Sequence, residues 1–470
     1  MEYLEDNIVL ATDSYKLNHW NQYPEDTEAV YSYFESRAGA QFDETVFFGL
    51  QYILTRYLEG AIVSGDHIAE AAFNSRAHFG REDYFNLAGW EHILTKHYGR
   101  LPLRIKAVPE GTPVPTGNVL MTVENTDPEC YWLTNAVESL LTHVWYPSTV
   151  ASLSRSVKLK LKTYLDWSAD SADGLPFMLH DFGYRGASSH ETAAIGGAGH
   201  LVNFLGTDTL PAISLLSQYY TDGDVESIGF SVAATEHSVM TARGERGEFE
   251  VVDHLLSEYP DGILSVVADS YDVYRFVSEI GTTFHDRVLV RDGVFVVRPD
   301  SVTGWHKTPE LLVVWILNKL WEYFGGTLNS KGYRVLDQHV RVLWGDGIDP
   351  AGIERILEKA QAAGFSAENL VFGMGGGLLQ KVNRDTQRFA FKASAIKRAG
   401  VWHDVFKRPL DPSKASKKGR LALIKSQDGS LYQTVPAVSL DRDDLLETVF
   451  ENGEVLRHQT LDDVRARAAL

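Results

Sequence analysis

Residues able to bind phosphate and metal ions recur in short polar segments between positions 177 and 394, each directly after an apolar run. With their apolar runs, the eight segments are PFMLHDFGYRG, LVNFLGTD, FSVAATEHS, ILSVVADS, VFVVRPDS, VRVLWGDG, NLVFGMGGG and FAFKAS. Carboxylates hold Mg2+, arginine pairs with phosphate, and glycine amides at a helix start form a phosphate cradle. These residue types are suited to chemistry on a phosphorylated substrate.

The spacing of the segments predicts the elements that must position them. Their marker residues, Asp181, Asp208, His237, Asp269, Asp300, Asp346 and Gly375, follow one another at intervals of 27, 29, 32, 31, 46 and 29 residues. Such intervals are typical of repeated strand-plus-helix units. When parallel strands close into a barrel, side chains at their carboxyl ends converge on one face, where barrels keep their active sites. We therefore predict an enzyme built on an eight-stranded barrel.

The rest of the chain does not follow this interval and predicts a second domain. Candidate strands bounded by turn residues occur at Val30–Glu35, Leu103–Val108 and Val119–Glu124. Near the carboxyl end, LALIKSQDGSLYQTV predicts a hairpin with its turn at Asp428 and Gly429. The predicted fold class is α/β. We expect an irregular (β/α) barrel over residues 150–394, with a β-containing α+β companion domain of residues 1–149 plus 395–470.

Composition argues against several classes of protein. The 470 residues carry a formal charge of −19, which argues against nucleic acid as a partner because phosphate backbones demand a basic surface. The single cysteine, Cys130, excludes an intramolecular disulfide and favours a reducing compartment, so we expect a cytoplasmic protein. The strongest apolar run, Leu311–Leu317, is far shorter than a bilayer span, and the amino terminus is acidic. We therefore expect neither a membrane segment nor a secretion signal.

One stretch, from Arg384 to Lys425, is strongly basic within this acidic chain. It contains twelve lysines and arginines against three acids. A solvated surface is the ordinary interpretation of such a charge run. Its position directly after a GGG turn favours the alternative, a site for a small, multiply phosphorylated ligand. Both interpretations stand at this point.

Two segments carry residues that suit a flat, neutral heterocycle. In HDFGYRG, Phe182 lies three residues before Arg185, where glycines let a ligand approach the backbone. Asp208 lies at the end of the next predicted strand, and its carboxylate accepts hydrogen bonds but donates none. It therefore favours a carboxamide over a carboxylate. The alternative is that Phe182 packs inside the barrel and that Arg185 is a surface cation.

His237 and the aspartates of the following segments are candidates for the reacting centre. A histidine at the active face can be a general base, a metal ligand or a nucleophile toward phosphate. No second histidine stands nearby at metal-ligand spacing, so zinc is not expected there. Asp269, Asp272 and Asp300 suit Mg2+ held through carboxylates and substrate phosphate, although capping of the next helix is equally compatible. Arg298 faces the same side of its strand as Asp300 and is placed to neutralise phosphate.

The last two glycine-rich segments predict a phosphate cradle. They are Gly345-Asp346-Gly347 and the run from Gly373 to Gly377, which includes Gly375 and Gly376. Glycine amides at a helix start bind phosphate, and the seventh and eighth units of such barrels are the usual place for it.

Taken together, these segments resemble those of the type II phosphoribosyltransferases. The likeness extends over nearly the whole chain, in the segments DSYK, QYPEDTEAVYSYFESR, FFGLQYIL, RIKAVPEG, VENTDPECYWLTN, HDFGYRG, VNFLGTDT, ADSYD, RPDS, GDG, GGGLLQK and SKKGRL. Agreement in so many separate segments is far more specific than any one motif.

The resemblance implies that nicotinamide reacts with phosphoribosyl pyrophosphate to give nicotinamide mononucleotide and pyrophosphate. It further implies Mg2+ dependence and a homodimer with two shared active sites. His237 would be a phosphorylated histidine through which ATP hydrolysis tightens substrate binding. For the base, the resemblance implies Phe182 and the partner subunit's Tyr15 on the two faces of the pyridine ring, with Arg185 and Asp208 at the carboxamide. For the sugar and phosphates, it implies Asp269, Arg298 and Asp300 at the ribose, Mg2+ and diphosphate, and Gly345, Asp346, Gly375 and Gly376 at the ribose and 5′-phosphate. Further substrate-binding residues are Arg37, Arg384 and Lys392 of the partner subunit, at the pyrophosphate, and Ser231 and Ser265.

The chain departs from the family pattern at two positions. Val302 stands where the vertebrate-type pattern has glycine, and Ala390 stands where it has a serine able to bond phosphate. Two other functions compete with the main interpretation. A nicotinate phosphoribosyltransferase is disfavoured by Asp208, and a non-enzymatic ligand-binding or signalling protein by the joint presence of His237 and its neighbouring charged residues.

Overall fold

The computed structural model describes residues 7–222, 228–302, 304–408, 410, 415–426, 431–439 and 443–470. Two compact units divide the chain. Met1–Ser152, Leu216–Asp224 and Asn383–Ala469 make up the first unit, and Leu153–Leu215 with Val225–Val382 make up the second.

The strands are short in the second unit and longer in the first. In chain order they are β1 (Thr27–Ser36), β2 (Glu44–Val46), β3 (Leu103–Ala107), β4 (Pro113–Pro115), β5 (Val119–Asn125), β6 (Leu179–Asp181), β7 (Gly206–Thr207), β8 (Ala233–Ala234), β9 (Asp261–Val267), β10 (Asp292–Arg298), β11 (Gly326–Leu328), β12 (Arg334–Leu336), β13 (Val340–Trp344), β14 (Leu370–Met374), β15 (Phe389–Arg398), β16 (Val401–Asp404), β17 (Leu421–Lys425), β18 (Tyr432–Pro436), β19 (Glu447–Glu451) and β20 (Glu454–Val455).

The helices range from single turns to one of 24 residues. In chain order they are α1 (Leu50–Ile53), α2 (Gly65–Phe79), α3 (Leu87–Lys96), α4 (Leu133–Ala136), α5 (Glu138–Thr142), α6 (Trp145–Ser168), α7 (His190–His200), α8 (Leu210–Tyr219), α9 (His237–Thr241), α10 (Glu248–Glu258), α11 (Val273–Gly281), α12 (His285–Leu289), α13 (Pro309–Phe324), α14 (Pro350–Ala362), α15 (Gly376–Leu379) and α16 (Leu461–Ala468). None of the described helices is both long enough and apolar enough to cross a membrane.

The first unit is built on an antiparallel sheet of seven strands in the order β16-β15-β1-β5-β3-β19-β20. The three strands predicted here from the sequence are confirmed as β1, β3 and β5. Both faces of β1 and β5 are buried, which explains why their apolar residues do not alternate strictly with polar ones. The predicted hairpin strands also pair, as β17 and β18. Its proposed turn at Asp428 and Gly429 lies outside the described residues.

The prediction of an eighth barrel strand is wrong. The segment FAFKAS lies in β15, which pairs antiparallel with β1, and residues 383–394 belong to the first unit instead of the barrel. Register pairs such as Phe34 with Phe391 place it beside β1, with β16 on its other side as the edge strand of that sheet. A run of alternating apolar and polar residues predicts a strand, but it does not identify the strand's partner.

The second unit contains a parallel sheet of seven strands in the order β7-β6-β14-β13-β10-β9-β8. The backbone of Phe230, just before β8, makes two hydrogen bonds to the residues on either side of Gly206 in β7. The Thr207 N–H donates to the Phe230 carbonyl at 2.9 Å, and the Phe230 N–H donates to the Leu205 carbonyl at 2.7 Å. This parallel bridge brings the two edges of the sheet together, so the sheet curls into a barrel. The carboxyl halves of β9 and β10 are apolar and buried, as expected for parallel strands covered by helices.

Candidate active site

Most of the predicted site residues of the second unit lie at the carboxyl ends of its parallel strands; of the others, Ser231 precedes β8, Ser265 lies within β9, and Arg185 lies in the 3-10 turn Tyr184–Gly186. Phe182, Asp208, His237 and Asp269 follow β6, β7, β8 and β9 within three residues, and Arg298 is the last residue of β10. The remaining members follow β10, β13 and β14, namely Asp300, Gly345, Asp346, Gly375 and Gly376. Since parallel strands end at one edge of their sheet, the fold collects these residues on one face.

A cavity of about 380 Å³ is lined both by residues at these strand ends, such as Asp208 and Arg298, and by residues in the amino halves of the strands, such as Ile263. Five predicted site residues line it: Phe182, Asp208, Ser231, Ser265 and Arg298. The rest of its wall is mostly aliphatic or aromatic, with side chains from β9, β10, β13 and β14. An apolar cleft with a few converging polar groups is the usual form of a small-molecule site, and this one suits a flat aromatic ring.

The position of Phe182 depends on glycines in the neighbouring strands. A Cβ atom on Gly373 of β14 would lie 2.0 Å from the Phe182 ring, and one on Gly345 would lie 3.5 Å from it. A Cβ on Gly375 would meet the Phe182 backbone at 3.3 Å. The glycine at position 373 is therefore required by the aromatic ring, and the predicted phosphate glycines lie directly beside that ring.

Asp208 is oriented by its neighbours. Its Oδ1 accepts a hydrogen bond of 2.6 Å from the Ser231 hydroxyl, and its backbone N–H donates to the Asp181 carbonyl at 2.9 Å. Asp181 itself is fully buried, and burial raises the pKa of its carboxyl to about 6. Because Asp208 remains exposed while its Oδ1 is already bonded, its Oδ2 is the atom that can meet a ligand donor.

Arg298 lies below the exposed face with its guanidinium partly bonded. One Nη2–H donates to the Thr235 carbonyl, and the Nε has no hydrogen-bond partner among the described residues. Burial lowers the pKa of this guanidinium. The neighbouring carboxylates of Asp300, Asp208 and Asp269 oppose that shift, in decreasing order of effect. Arg185 acts on the same group as a second cation, which places it within electrostatic range of the cavity.

Asp269 and Asp300 act electrostatically on both Arg298 and Asp346, and we call Asp269, Asp300 and Asp346 the carboxylate cluster. Burial raises the pKa of Asp346, and the charges of Asp300 and then Asp269 raise it further. The Ser301 hydroxyl donates to Oδ2 of Asp269, whereas Oδ1 is buried without a hydrogen-bond partner in the described part of the chain. Neither Asp269 nor Asp300 caps a helix; Asp272 caps α11 and thus takes the structural role.

The carboxylate cluster fits a hard divalent cation. Its donors are all oxygens, one of them is buried and unpartnered, and burial and then the charges of Asp300 and Asp269 raise the pKa of Asp346. Mg2+ prefers such ligands and is commonly held through one or two carboxylates together with substrate phosphates.

His237 is the first residue of α9 and stands at the edge of the carboxylate cluster. Its Nδ1 lies 3.1 Å from the Ser270 hydroxyl, and its Nε2 lies 3.4 Å from Oδ2 of Asp300. Its side chain is 48% exposed. One ring nitrogen is thus fixed by a neighbour while the ring remains open to a reactant.

The other predicted residues, Tyr15, Arg37, Arg384 and Lys392, belong to the first unit. Tyr15 is 59% exposed on a 3-10 helix, Ser14–Asn21. We call Arg37, Lys392 and Lys407 the basic cluster, because burial and then the charges of Lys407 and Arg37 lower the pKa of Lys392. Arg384 is exposed in the loop before β15.

Several residues of the site escaped prediction from the sequence. Ser270 and Ser301 orient His237 and Asp269, Thr235 binds Arg298, and His180 and Arg341 line the cavity. A signal was available for the two serines. Each stands directly after a predicted aspartate, in the repeated Asp-Ser pair of ADS and PDS.

Two family models match the chain. Residues 177–454 match the nicotinate phosphoribosyltransferase (NAPRTase) family. Residues 7–105 match the N-terminal domain of nicotinamide phosphoribosyltransferase. The first match contains the site residues of the barrel from Phe182 onward, and the second contains Tyr15 and Arg37.

Among curated relatives, the nicotinamide phosphoribosyltransferase of Xanthomonas campestris pv. campestris is 47% identical over 478 residues, covering 100% of this chain and 99% of the relative. That of Acinetobacter baylyi is 37% identical, covering 98% of this chain and 97% of the relative.

Solved structures confirm the predicted fold class. The nicotinate-nucleotide pyrophosphorylase of Pyrococcus furiosus gives a TM-score of 0.64 at 14% identity, covering 100% of this chain and 97% of that one. Human nicotinic acid phosphoribosyltransferase gives 0.60 at 15% identity, covering 97% and 92%. From these matches together, the chain belongs to the nicotinate phosphoribosyltransferase family and, within it, to the nicotinamide phosphoribosyltransferases.

Proposed function

We propose that this protein transfers the phosphoribosyl group of phosphoribosyl pyrophosphate to nicotinamide, forming nicotinamide mononucleotide and pyrophosphate. The observation that carries the proposal is the pairing of Asp208 with Ser231 at a cavity that also contains the Phe182 ring. Relatives that bear the name of this activity cover the chain from end to end.

Recognition of nicotinamide follows from the chemistry of Asp208. An ionised carboxylate accepts hydrogen bonds, so its free oxygen can bind the NH2 group of a carboxamide. A nicotinate carboxylate at the same place has no hydrogen to donate and carries a like charge, so it is repelled. The apolar wall and the Phe182 ring supply the stacking surface for the pyridine.

The bond changes need no strong protein base. The bond between ribose C1 and the diphosphate oxygen breaks, its electron pair leaves with pyrophosphate, and the neutral pyridine nitrogen forms the new bond to C1. The product ring takes up the positive charge, and no proton moves at the nitrogen. Catalysis then rests on holding ring and sugar in line and on stabilising the departing charge.

Residues of the barrel serve these two tasks. Phe182 and Asp208 orient the ring, while Gly375 and Gly376 leave room for the 5′-phosphate at the start of α15. When bound, Mg2+ neutralises diphosphate charge, and Asp269 and Asp300 are the residues that would hold it. Arg298 adds a fixed positive charge beside them.

A second copy of the chain completes the site in this proposal. Tyr15 of the partner subunit covers the other face of the ring, and Arg37, Arg384 and Lys392 of the partner subunit contact the pyrophosphate. Support comes from the basic cluster, in which burial and then the neighbouring cations lower the pKa of Lys392. Such a group of like charges is stabilised when a polyanion binds.

His237 couples ATP hydrolysis to binding in the same proposal. Its imidazole attacks the terminal phosphate of ATP, which releases ADP and leaves a phosphohistidine, and water later removes the phosphate. The support is geometric: the ring is exposed, one nitrogen meets Ser270, and the other lies next to the carboxylate cluster. The added negative charge next to the Mg2+ ligands would favour the metal-bound diphosphate substrate.

The test is turnover of nicotinamide and of nicotinate with phosphoribosyl pyrophosphate and Mg2+, each with and without ATP. We expect nicotinamide mononucleotide as the main product of the wild type, stimulated by ATP. Asp208→Asn should lose much of its nicotinamide kcat/KM and improve on nicotinate, moving their ratio by about 10–100-fold. His237→Ala should keep nicotinamide turnover while losing the stimulation by ATP.

Asp286→Asn is the matched control, since Asp286 is almost fully exposed and contacts only His285 among the ion pairs of the described residues. It should leave the substrate ratio unchanged. Preference of the wild type for nicotinate would overturn the role of Asp208, and turnover of neither substrate would overturn the proposed function as a whole.

A further inference from the structure

Four residues with metal-binding side chains meet in the first unit, in no part of the site described above. His92 lies in α3, and His97 directly follows its last residue. Asp127 precedes a 3-10 turn, Pro128–Cys130, that Cys130 ends. The ligand atoms of all four lie within 4.8 Å of one another.

The two histidines point at the same carboxylate oxygen. Nε2 of His92 lies 2.8 Å and Nε2 of His97 lies 2.6 Å from Oδ2 of Asp127. Two ring nitrogens and one oxygen thus converge with a thiol nearby, which gives an N2OS donor set. Imidazole nitrogen, carboxylate oxygen and thiolate sulfur are the protein ligands of zinc, and borderline-soft sets of this kind favour zinc over magnesium or calcium.

The backbone holds the ligands in place independently of the histidines. The other carboxylate oxygen of Asp127 caps the 3-10 turn by accepting from the Glu129 N–H at 2.9 Å. The Asn125 side chain donates to the Asp127 carbonyl at 2.8 Å. Beyond α3, Tyr98 and Gly99 adopt left-handed conformations with φ of 55° and 78°, which reverses the chain directly after His97. Oδ2 of Asp127 is therefore oriented toward both rings by supporting bonds of the kind that position metal ligands.

The four residues differ in burial, from a cysteine in the interior to two histidines at the solvent. Cys130 is fully buried, whereas the two histidine side chains are each 26% exposed. An ion therefore has a route from solvent to the Asp127 carboxylate, past the partly exposed imidazole rings.

We propose that His92, His97, Asp127 and Cys130 form a four-coordinate zinc site. A tetrahedral ion with bonds of about 2.0–2.3 Å places its ligand atoms about 3.3–3.8 Å apart. Binding therefore requires each ring nitrogen to withdraw from Oδ2 by roughly half an ångström or more, and the sulfur to approach the others. Partly exposed side chains at the end of a helix can make such adjustments by small rotations.

The site is of the structural type, since four protein ligands leave no open position for substrate. It joins the end of α3 to the segment that follows β5. Those elements already touch through an edge contact between Trp90 and Trp132, whose ring centroids are 5.0 Å apart. Zinc would thus fasten two segments of the first unit that carry no predicted catalytic residue.

The rival interpretation is a His-Asp-His hydrogen-bonded group without metal. In that case both histidines carry their proton on Nε2 and donate to one oxygen. A zinc ion instead replaces both protons and also takes Cys130 as a thiolate. The involvement of the sulfur separates the two possibilities.

The experiment uses the full-length protein without a histidine tag, stripped with a chelator and then titrated with Zn2+ or Co2+. We expect about one tightly bound zinc ion per chain and, with Co2+, a thiolate-to-metal charge-transfer band. Because Cys130 is the only cysteine in the sequence, that band can come from no other site. Metal that binds instead at the carboxylate cluster gives no such band in the Co2+ form, and that result counts against the proposal.

The variants are Cys130→Ser, His92→Gln and His97→Gln, with His339→Gln as the matched control. His339 also contacts a carboxylate, with Nδ1 2.6 Å from Asp337, but no group of three or more metal-binding side chains is found around it within the described residues. The three site variants should bind zinc at least about 100-fold more weakly, and the control should bind it like the wild type. If Cys130→Ser does not fold, the two histidine variants at the exposed side still decide. Absence of stoichiometric zinc in the folded wild type, or unchanged affinity in His92→Gln and His97→Gln, would overturn the proposal.

Discussion

The carboxylate cluster of the barrel and the basic cluster of the first unit are opposite in charge, but in both a pKa is shifted by burial and by neighbouring charges of the same sign. In the first, burial and neighbouring negative charges raise the pKa of Asp346. In the second, burial and neighbouring positive charges lower the pKa of Lys392. Each shift moves its group toward the neutral form, because each cluster brings like charges together where they are partly shielded from water.

This comparison indicates what each cluster is built to bind. A group of like charges that destabilises itself in the free protein is relieved by a ligand of the opposite sign. A divalent cation would relieve the repulsion in the carboxylate cluster, and a polyanion would relieve it in the basic cluster. In the proposed reaction, phosphoribosyl pyrophosphate with Mg2+ would supply both.

The largest expected effect comes from removing a charge of the carboxylate cluster. Asp300→Asn removes a proposed Mg2+ ligand and the partner of the His237 Nε2. We expect kcat/KM for nicotinamide to fall by about 10²–10³-fold, as for the loss of one preorganised electrostatic contact in other active sites. Steady-state kinetics over a range of Mg2+ concentrations check this, with Asp286→Asn as control. A loss of less than threefold at every Mg2+ concentration would place the metal elsewhere.

A smaller effect is expected from the basic cluster. Lys392→Ala should raise KM for phosphoribosyl pyrophosphate by about 10–100-fold, since hydrogen bonds to charged groups contribute about 1.5–3 kcal/mol. The matched control is Lys397→Ala on the same strand, whose ammonium pairs with Glu28 at 3.0 Å. Since the pKa of Lys392 is lowered, the wild-type KM should begin to rise at a lower pH than for an ordinary lysine. Equal effects of the two substitutions would mean that the lowered pKa does not mark a polyanion site.

The smallest effect concerns stability and tests the self-repulsion directly. A carboxyl whose folded pKa lies above its ordinary value of 3.8 stabilises the fold below that value and loses this contribution as the pH rises through the folded pKa. Asp346→Asn should therefore stabilise the Mg2+-free protein at neutral pH, by less than about 1 kcal/mol because the side chain is exposed. The gain should vanish in acid.

Thermal unfolding with a chelator, at neutral and at acid pH, measures this difference. Added Mg2+ should stabilise the wild type more than the variant. A variant that is less stable than the wild type at neutral pH would show that Asp346 contributes through its contacts and not through repulsion.

The sequence was sufficient to locate the barrel strands and most of the candidate site. Strand ends such as ILSVVADS and VFVVRPDS can be recognised in the sequence, because an apolar, β-branched run typical of a buried strand stops at a carboxylate. Parallel pairing then brings residues as distant as Phe182 and Gly375 to one face without further information. Hence the local pattern and the rule for parallel barrels suffice there.

Other features depend on contacts that no local pattern contains. The segment FAFKAS is a strand as predicted, but its place beside β1 is set by residues more than 350 positions away. The four proposed zinc ligands are spread over α3 and the segment after β5, so neither the pair at 92 and 97 nor the pair at 127 and 130 forms a familiar metal motif alone. Their meeting depends on how the first unit packs.

The contact between Gly373 and Phe182 also constrains how this protein can change over time. With the ring in place, even a methyl group at position 373 would overlap it, since its Cβ would lie 2.0 Å from the ring edge. The two positions are therefore coupled: a side chain at 373 requires the Phe182 ring to move or to be lost. Among related sequences we expect positions 182 and 373 to covary, because the residue that stacks on the ligand and the residue of β14 behind it can change only together.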